Sequence, residues 1–406
     1  MPSLSRTLSI MGLLLLCACQ SEPTTPSSDS EIPTITLNPT QSAETIGLDS
    51  VVASVRYVPL GSELESILTN PRRIMFWEEF MLLFDAVGPY GDRGVLFTVD
   101  GRAIGPVGKR GKGPGEYNQT ADVCINPFTH TVDVLSNNSG PTPTVILQYD
   151  LPSLTYQRTI GIADAYLSQL MPVDTHQYLF YHPDYEILNP EWNYIFSRFD
   201  TEEKAVLNQI SALPELMAPD KPLLNVWQAF AGDFAHPVLT HWNMDTVYTF
   251  DQDKGWVSSY AFAFEGAKQS ELTYGSQAEF DQLLREEKVC CIFSYTETKN
   301  FIYGMHPYKT YWGEHFLYSK RTGKLVQFSN DGLVNPFNGL EFILPVGSHY
   351  ERDEIIFAAV PSRLHGQLAK NGDSFLPEAR EALQSLTDTV STDDNHVLIF
   401  YQFKDF

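Results

Sequence analysis

The feature that most constrains this chain is a unit that keeps returning. Short runs of alternating apolar and polar residues, rich in Val, Ile, Tyr and Phe, end at turn residues and start again. Val55–Leu60 ends at Pro59-Leu60. Ile74–Trp77 and Phe80–Phe84 flank Glu78-Glu79, a hairpin pattern. Val95–Val99 runs into Asp100-Gly101. Val132–Leu135 is followed by Val145–Asp150, Tyr178–Tyr181 by Tyr194–Asp200, and Phe301–Tyr303 by His315–Ser319. Val247–Phe250 ends at Asp251. Period two is the signature of strands with two unlike faces. Strand, hairpin, strand and turn repeated at roughly 40–60 residues is the signature of propeller blades. The expected fold is therefore all-β, a β-propeller over residues 32–406.

One helix is expected late in the chain. Pro377–Leu386 has Pro in its first turn and Leu383 and Leu386 three apart. It forms a short C-terminal helical insertion before the closing strand, Val397–Phe403. A propeller must close its ring, because an open edge invites aggregation. Ile32–Leu37 and Val397–Phe403 are the segments expected to meet there.

The first 31 residues read differently. Arg6 is their only charge before Glu22, and the apolar run Ile10–Leu16 is too short to anchor in a bilayer by itself. It has the form of a signal-peptide core, residues 1–18. Leu16-Cys17-Ala18-Cys19 resembles the bacterial lipobox, which implies acylation of Cys19. Residues 19–31, rich in Ser, Thr and Pro, form a flexible tether after it. The expected product is an outer-membrane lipoprotein, facing the periplasm or the exterior, held to the membrane by its N-terminal lipid. Lys and Arg number 27 against 50 Asp and Glu, a net charge of −23. Losing Arg6 with the signal makes it 26 − 50 = −24. Such a surface does not bind a nucleic-acid backbone.

Four stretches carry a resemblance. They are Val55–Leu60, the loop Gly105–Tyr117 with its Gly111-Lys112-Gly113-Pro114-Gly115-Glu116-Tyr117, Met244–Tyr248, and Asp394–Tyr401. Together they resemble the six-bladed β-propeller lipoproteins of Bacteroidetes, themselves similar to NHL-repeat and TolB-like propellers. The resemblance spans nearly all of 32–406. His396 departs from it, since the family more often carries Pro there. It implies the number of blades, six, and a location, not a reaction.

Candidate sites are few. Gly105–Gly115 holds five Gly and the bases Lys109, Arg110 and Lys112 in eleven positions. No register gives a phosphate-binding or dinucleotide-binding spacing. The bland reading is a tight interblade loop. The functional one makes Lys109, Arg110, Lys112, Glu116 and Tyr117 a ligand-binding set. No His-Glu-x-x-His and no Gly-x-Ser-x-Gly is present. The ten His read as polar strand ends and loop residues. No metal, cofactor or catalytic residue is expected. Cys124, Cys290 and Cys291 sit in apolar runs and read as buried small hydrophobes, with a Cys124 bridge to either neighbour left open. Trp192 to Tyr194, Trp227, Trp242, Trp256 and Tyr308 to Trp312 read as interblade packing, or as platforms gripping a glycan. The expected function is a binding or interaction module for a glycan or an envelope protein. The alternative is a propeller hydrolase or lyase with a site at the channel mouth.

Overall fold

The protein is seen here as a computed structural model that describes residues 32–39, 45–86, 92–137, 144–163, 167–182, 195–210, 229–241, 244–265, 282, 285–286, 291–308 and 310–406. Six sheets, five of four antiparallel strands and one with a fifth, parallel strand added, form a ring, a six-bladed β-propeller. Blade 1 spans residues 71–106, blade 2 spans 120–163, blade 3 spans 169–210, blade 4 spans 230–264 and blade 5 spans 294–328. Blade 6 takes three strands from 347–403 and its outermost from Val52–Pro59.

The sheets pack face to face, so the core is a set of seams between blades. Ile74, Leu83, Ile356 and Phe400 fill the seam between blades 1 and 6. Leu82, Leu96, Val123 and Val134 fill that between blades 1 and 2. Phe262, Tyr295 and Phe316 join blades 4 and 5, with rings 5.5–6.2 Å apart. This is where the aromatic surplus goes. Each fully buried large apolar side chain contributes about 1.5–3 kcal/mol.

Ring closure corrects the expectation. Val397–Phe403 pairs antiparallel with Val52–Pro59, not with Ile32–Leu37. An eight-residue strand matches a seven-residue partner, which the four-residue strand Thr34–Leu37 cannot. Thr34–Leu37 instead adds a fifth, parallel strand to blade 4, with Ile35 and Leu37 turned into the core. The chain then crosses blade 5. Asn38 exchanges hydrogen bonds of 3.0 and 3.2 Å with Gln327, and Ile46-Gly47 pairs with Leu333-Val334. Residues 34–39 and 45–59 thus tie blades 4, 5 and 6 together.

Two helices, α1 (Pro361–Asn371) and α2 (Pro377–Thr389), stand between the second and third strands of blade 6. The second was expected and the first was not. Each begins with Pro at its first turn. Leu364 and Leu383 are buried against blade 6.

The two ends of the ring differ. At one end the connections are tight turns of two to five residues, such as 78–79, 99–102, 233–236 and 350–353. The other end carries the long connections: 60–70, 107–119, 211–229, 265–293, 329–346 and 360–396. Short turns only reverse the chain; long connections on a rigid scaffold are where binding residues concentrate.

Candidate functional site

The glycine-rich loop joins blade 1 to blade 2 on the long-connection end. Lys109-Arg110 pairs in parallel with Glu116-Tyr117. Lys109 Nζ lies 2.9 Å from Glu116 Oε1, and Arg110 Nε donates to the Asn118 carbonyl at 2.9 Å. The Gly113 amide donates to Glu116 Oε2 at 2.8 Å. That amide, and then Lys109, hold the Glu116 carboxyl below the usual range. Tyr117 is buried, its hydroxyl 3.3 Å from the Val107 carbonyl. Gly108 has φ +63 and lies against the Tyr149 ring, where a Cβ would collide. The structure thus brings the five predicted residues together, with Lys109, Arg110 and Glu116 engaged inside the loop and Lys112 exposed.

The channel between the inner strands is filled. Arg73, Met75, Met171, Phe230 and Ser348 leave about 10 Å³ of open space, room for one water at most. Arg73, on the inner strand of blade 1, forms a buried ion pair with Asp122 on blade 2 and donates to the Leu170 carbonyl of blade 3 at 3.3 Å. The Leu170 amide returns a bond to Asp122 Oδ2 at 3.0 Å. Burial pushes the Asp122 carboxyl up, while Arg73 and the Leu170 amide pull it down. A second buried network lies between blades 2 and 3. Asp133 accepts from Tyr178 at 2.6 Å, Thr131 at 2.6 Å, Gln148 at 2.9 Å and Asn126 at 3.0 Å. Every lone pair it uses is filled by protein, so this carboxylate is a brace.

Among the described residues, a larger open space lies at the mouth of that channel, on the long-connection end, where blades 5, 6 and 1 meet. It is a cavity of about 300 Å³. Its apolar walls include Phe293, Ile343, Leu344 and Val346, and its polar side is Thr69, Asn70, Arg72, Ser294 and His396. The wall is held from behind. Asp85, fully buried, accepts the amides of Thr69 at 2.9 Å and Asn70 at 2.7 Å. Arg93 donates to the carbonyls of Glu65 and Ile67. Asn395 accepts the Leu68 amide at 2.9 Å and donates to the carbonyls of Gly61 and Ser66 at 2.9 and 2.8 Å. On the other side, the Ile74 amide donates to the Val346 carbonyl at 2.8 Å. Buried bonds from blades 1 and 6 therefore fix both walls before any ligand arrives.

Local irregularity sets the polar residues. In blade 1, Pro71 pairs with Asp85 and Arg73 with Phe84, which leaves Arg72 as the extra residue of a β-bulge. A bulge re-aims one side chain. Arg73 can therefore enter the channel while Arg72 lines the cavity. Burial opposes the Arg72 charge and Asp92 supports it. His396, nearly buried at the start of its strand, is pushed below 6.5 by burial and is neutral at pH 7. No carboxylate is among the described residues lining the cavity.

Other expectations resolve against the fold. His306 and His315 lie inside strands of blade 5 rather than at strand ends or in loops, while His182 and His241 sit just past strand ends; all four are buried as flat packing groups. Cys124 and Cys291 are buried and not bridged to each other; Cys290 lies outside the described residues. Trp256 is packed in the core against Phe250 at 5.0 Å. Trp192 to Tyr194, Trp227, Trp242, Cys17 and Cys19 lie outside the described residues, as do the side chains of Tyr311 and Trp312. Among the described residues no group of three or more His, Cys, Asp or Glu could hold a metal ion, and no helix is long and apolar enough to cross a membrane. Sequence reasoning missed Arg72, Asp85, Arg93 and the bracing role of Asn395. The pair Arg72-Arg73 at a strand start in so acidic a chain was the available signal.

Comparison with known proteins agrees with the fold. The family model described as "Domain of unknown function (DUF4934)" matches residues 32–402. A search of curated proteins finds no match. Among solved structures, a Bacteroides fragilis protein provisionally described as exported is similar at 15% identity, covering 92% of this chain and 99% of that one with a TM-score of 0.70. A member of the DUF4221 family from Bacteroides vulgatus aligns at 10% identity over 87% of this chain and 97% of that one, with a TM-score of 0.49. At such identities the likeness concerns the fold.

Proposed function

We propose that this chain, which belongs to the DUF4934 family, is an exported, lipid-anchored binding module of the cell envelope that takes its ligand in the cavity at the channel mouth. One observation carries the reading. A braced cavity of about 300 Å³ sits on the long-connection end of the ring, while the described inner-strand residues behind it leave about 10 Å³. That is the small end of the range for ligand sites, with apolar walls and a few convergent polar groups. It suits one ring-sized unit, such as the end residue of a glycan. An enzyme of the hydrolase or lyase type needs a carboxylate or a metal aimed at the substrate. No carboxylate is among the described lining residues, which favours binding over acid–base turnover.

The anchor rests on the apolar run Ile10–Leu16 and on Leu16-Cys17-Ala18-Cys19. The exported description of the B. fragilis neighbour is in keeping with it. Cys19→Ala should leave an unprocessed precursor or move the protein to the soluble fraction. Unchanged membrane fractionation would refute the anchor.

The cavity is tested by filling it. Ligand-observed NMR with a library of mono- and disaccharides and small metabolites should find binders of the full-length protein. Ala358→Trp, and independently Ile343→Trp at the exposed rim, should abolish their signals while leaving the thermal unfolding curve in place. Binders unaffected by both substitutions, or a library with no binder, would overturn the reading.

A further inference from the structure

We infer that the cavity recognises a singly charged carboxylate carried on a compact, partly apolar body, and that Arg72 is its partner. The inference rests on the cavity being the ligand site and adds the class of ligand.

Three observations support it. First, the bulge at Pro71–Arg73 spends a ladder position to place Arg72 at the cavity. Its neighbour Arg73 is already committed to Asp122 and Leu170. Second, the charge at the cavity runs against the chain. The sequence carries 50 acidic and 27 basic residues, yet Arg72 is the one charged side chain among the described lining residues. Its guanidinium is partly stripped of water, with Asp92 as a nearby support. A guanidinium has five donors in a fork, so a carboxylate ligand can take two of them beside an existing partner. Third, the remaining polar groups are neutral. Ser294, Thr69 and Asn70 can serve hydroxyls or an amide, and His396 is uncharged at pH 7. With Asp92 beside Arg72, the described lining holds no surplus positive charge. A phosphate monoester, near −2 at pH 7, therefore meets more unbalanced charge there than a carboxylate, which carries one. Phe293, Leu344 and Val346 in the lining supply apolar surface on which a sugar ring or a short hydrocarbon can lie.

The test uses matched probes that differ only in charge: glucuronate with glucose, and phenylacetate with phenylacetamide. Each is titrated calorimetrically into the full-length protein, with phenyl phosphate as the dianionic comparison. At least one carboxylate should bind ten-fold or more tightly than its neutral partner and than phenyl phosphate. Arg72→Gln should remove that preference, with at least a ten-fold loss, and Arg72→Lys should retain part of it. Thermal unfolding of both variants shows whether they fold. Equal binding of the neutral probes, a preference for the phosphate, or carboxylate affinity unchanged in Arg72→Gln would each overturn the inference. So would the absence of any carboxylate binder. If neutral probes bind and Ile343→Trp abolishes them, the cavity reading stands while the carboxylate falls. If Ile343→Trp changes nothing, both fall.

Discussion

Acidifying the protein from pH 7 to pH 4 is expected to remove several kcal/mol of stability through four buried histidines. Burial lowers His182 and His315 to about 3 and His241 and His306 to about 4 in the folded state. An unfolded chain takes up these protons near 6.5. The folded-state pKa is depressed, so the unfolded state binds more protons as pH falls. The stability these groups confer is therefore complete above pH 6.5 and is lost below it, down to about pH 4 or 3. Each proton steepens the dependence by about 1.4 kcal/mol per pH unit at most. Asp122, Asp133 and Glu314 work in the opposite direction, because burial raises their folded carboxyls. The histidine share is isolated by difference. Urea unfolding of wild type, His241→Phe and His315→Gln between pH 7.5 and 4.5 should show each substitution flattening the curve by about one proton. Gln at 315 keeps an acceptor for the Tyr303 hydroxyl, which lies 2.7 Å from His315 Nδ1. Parallel curves for all three proteins would refute the assignment.

The second large effect is expected at the ion pair that plugs the channel. Arg73 and Asp122 are 5% and 1% exposed and tie blades 1, 2 and 3 together. Removing one partner leaves the other charged, buried and uncompensated. Asp122→Leu or Arg73→Met should therefore cost about 3–5 kcal/mol. The double change Arg73→Met with Asp122→Leu should recover most of that loss, because neither charge then needs solvation. Denaturant midpoints of the three variants complete the cycle. Additive losses in the double variant would show that the two side chains act independently.

The architecture was legible because its signal is local. Alternation such as Val132–Leu135 and turn pairs such as Asp100-Gly101 report a strand and its end within a few residues. Ring closure was not legible in full. Ile32–Leu37 and Val55–Leu60 both read as strands, and only the length that the second gains as Val52–Pro59, against Val397–Phe403, decides between them. Helix α1 escaped because Gly366 interrupts it and just Pro361 and Leu364 are buried. The cavity was illegible for another reason. Its braces join residues far apart, as when Asn395 holds Leu68, and no local pattern encodes such a pair. The bulge that aims Arg72 is a property of pairing with Phe80–Asp85, not of Pro71–Ile74 alone. The glycine-rich loop is the reverse case. Its spacing advertised a site, and the fold uses most of its charges to hold its own shape.

The pairing of Val52–Pro59 with Val397–Phe403 also governs the order of events during folding. The partners are more than three hundred residues apart, so the last blade carries the highest loop-closure cost in the molecule. Five blades can assemble from near neighbours in sequence, but the sixth waits for both segments. Until they meet, the edges of blade 6 stay unpaired and open to other chains. Any chaperone acting on this protein would therefore do most by shielding those two strands, and a proteolytic probe of refolding should find blade 6 the last to become protected.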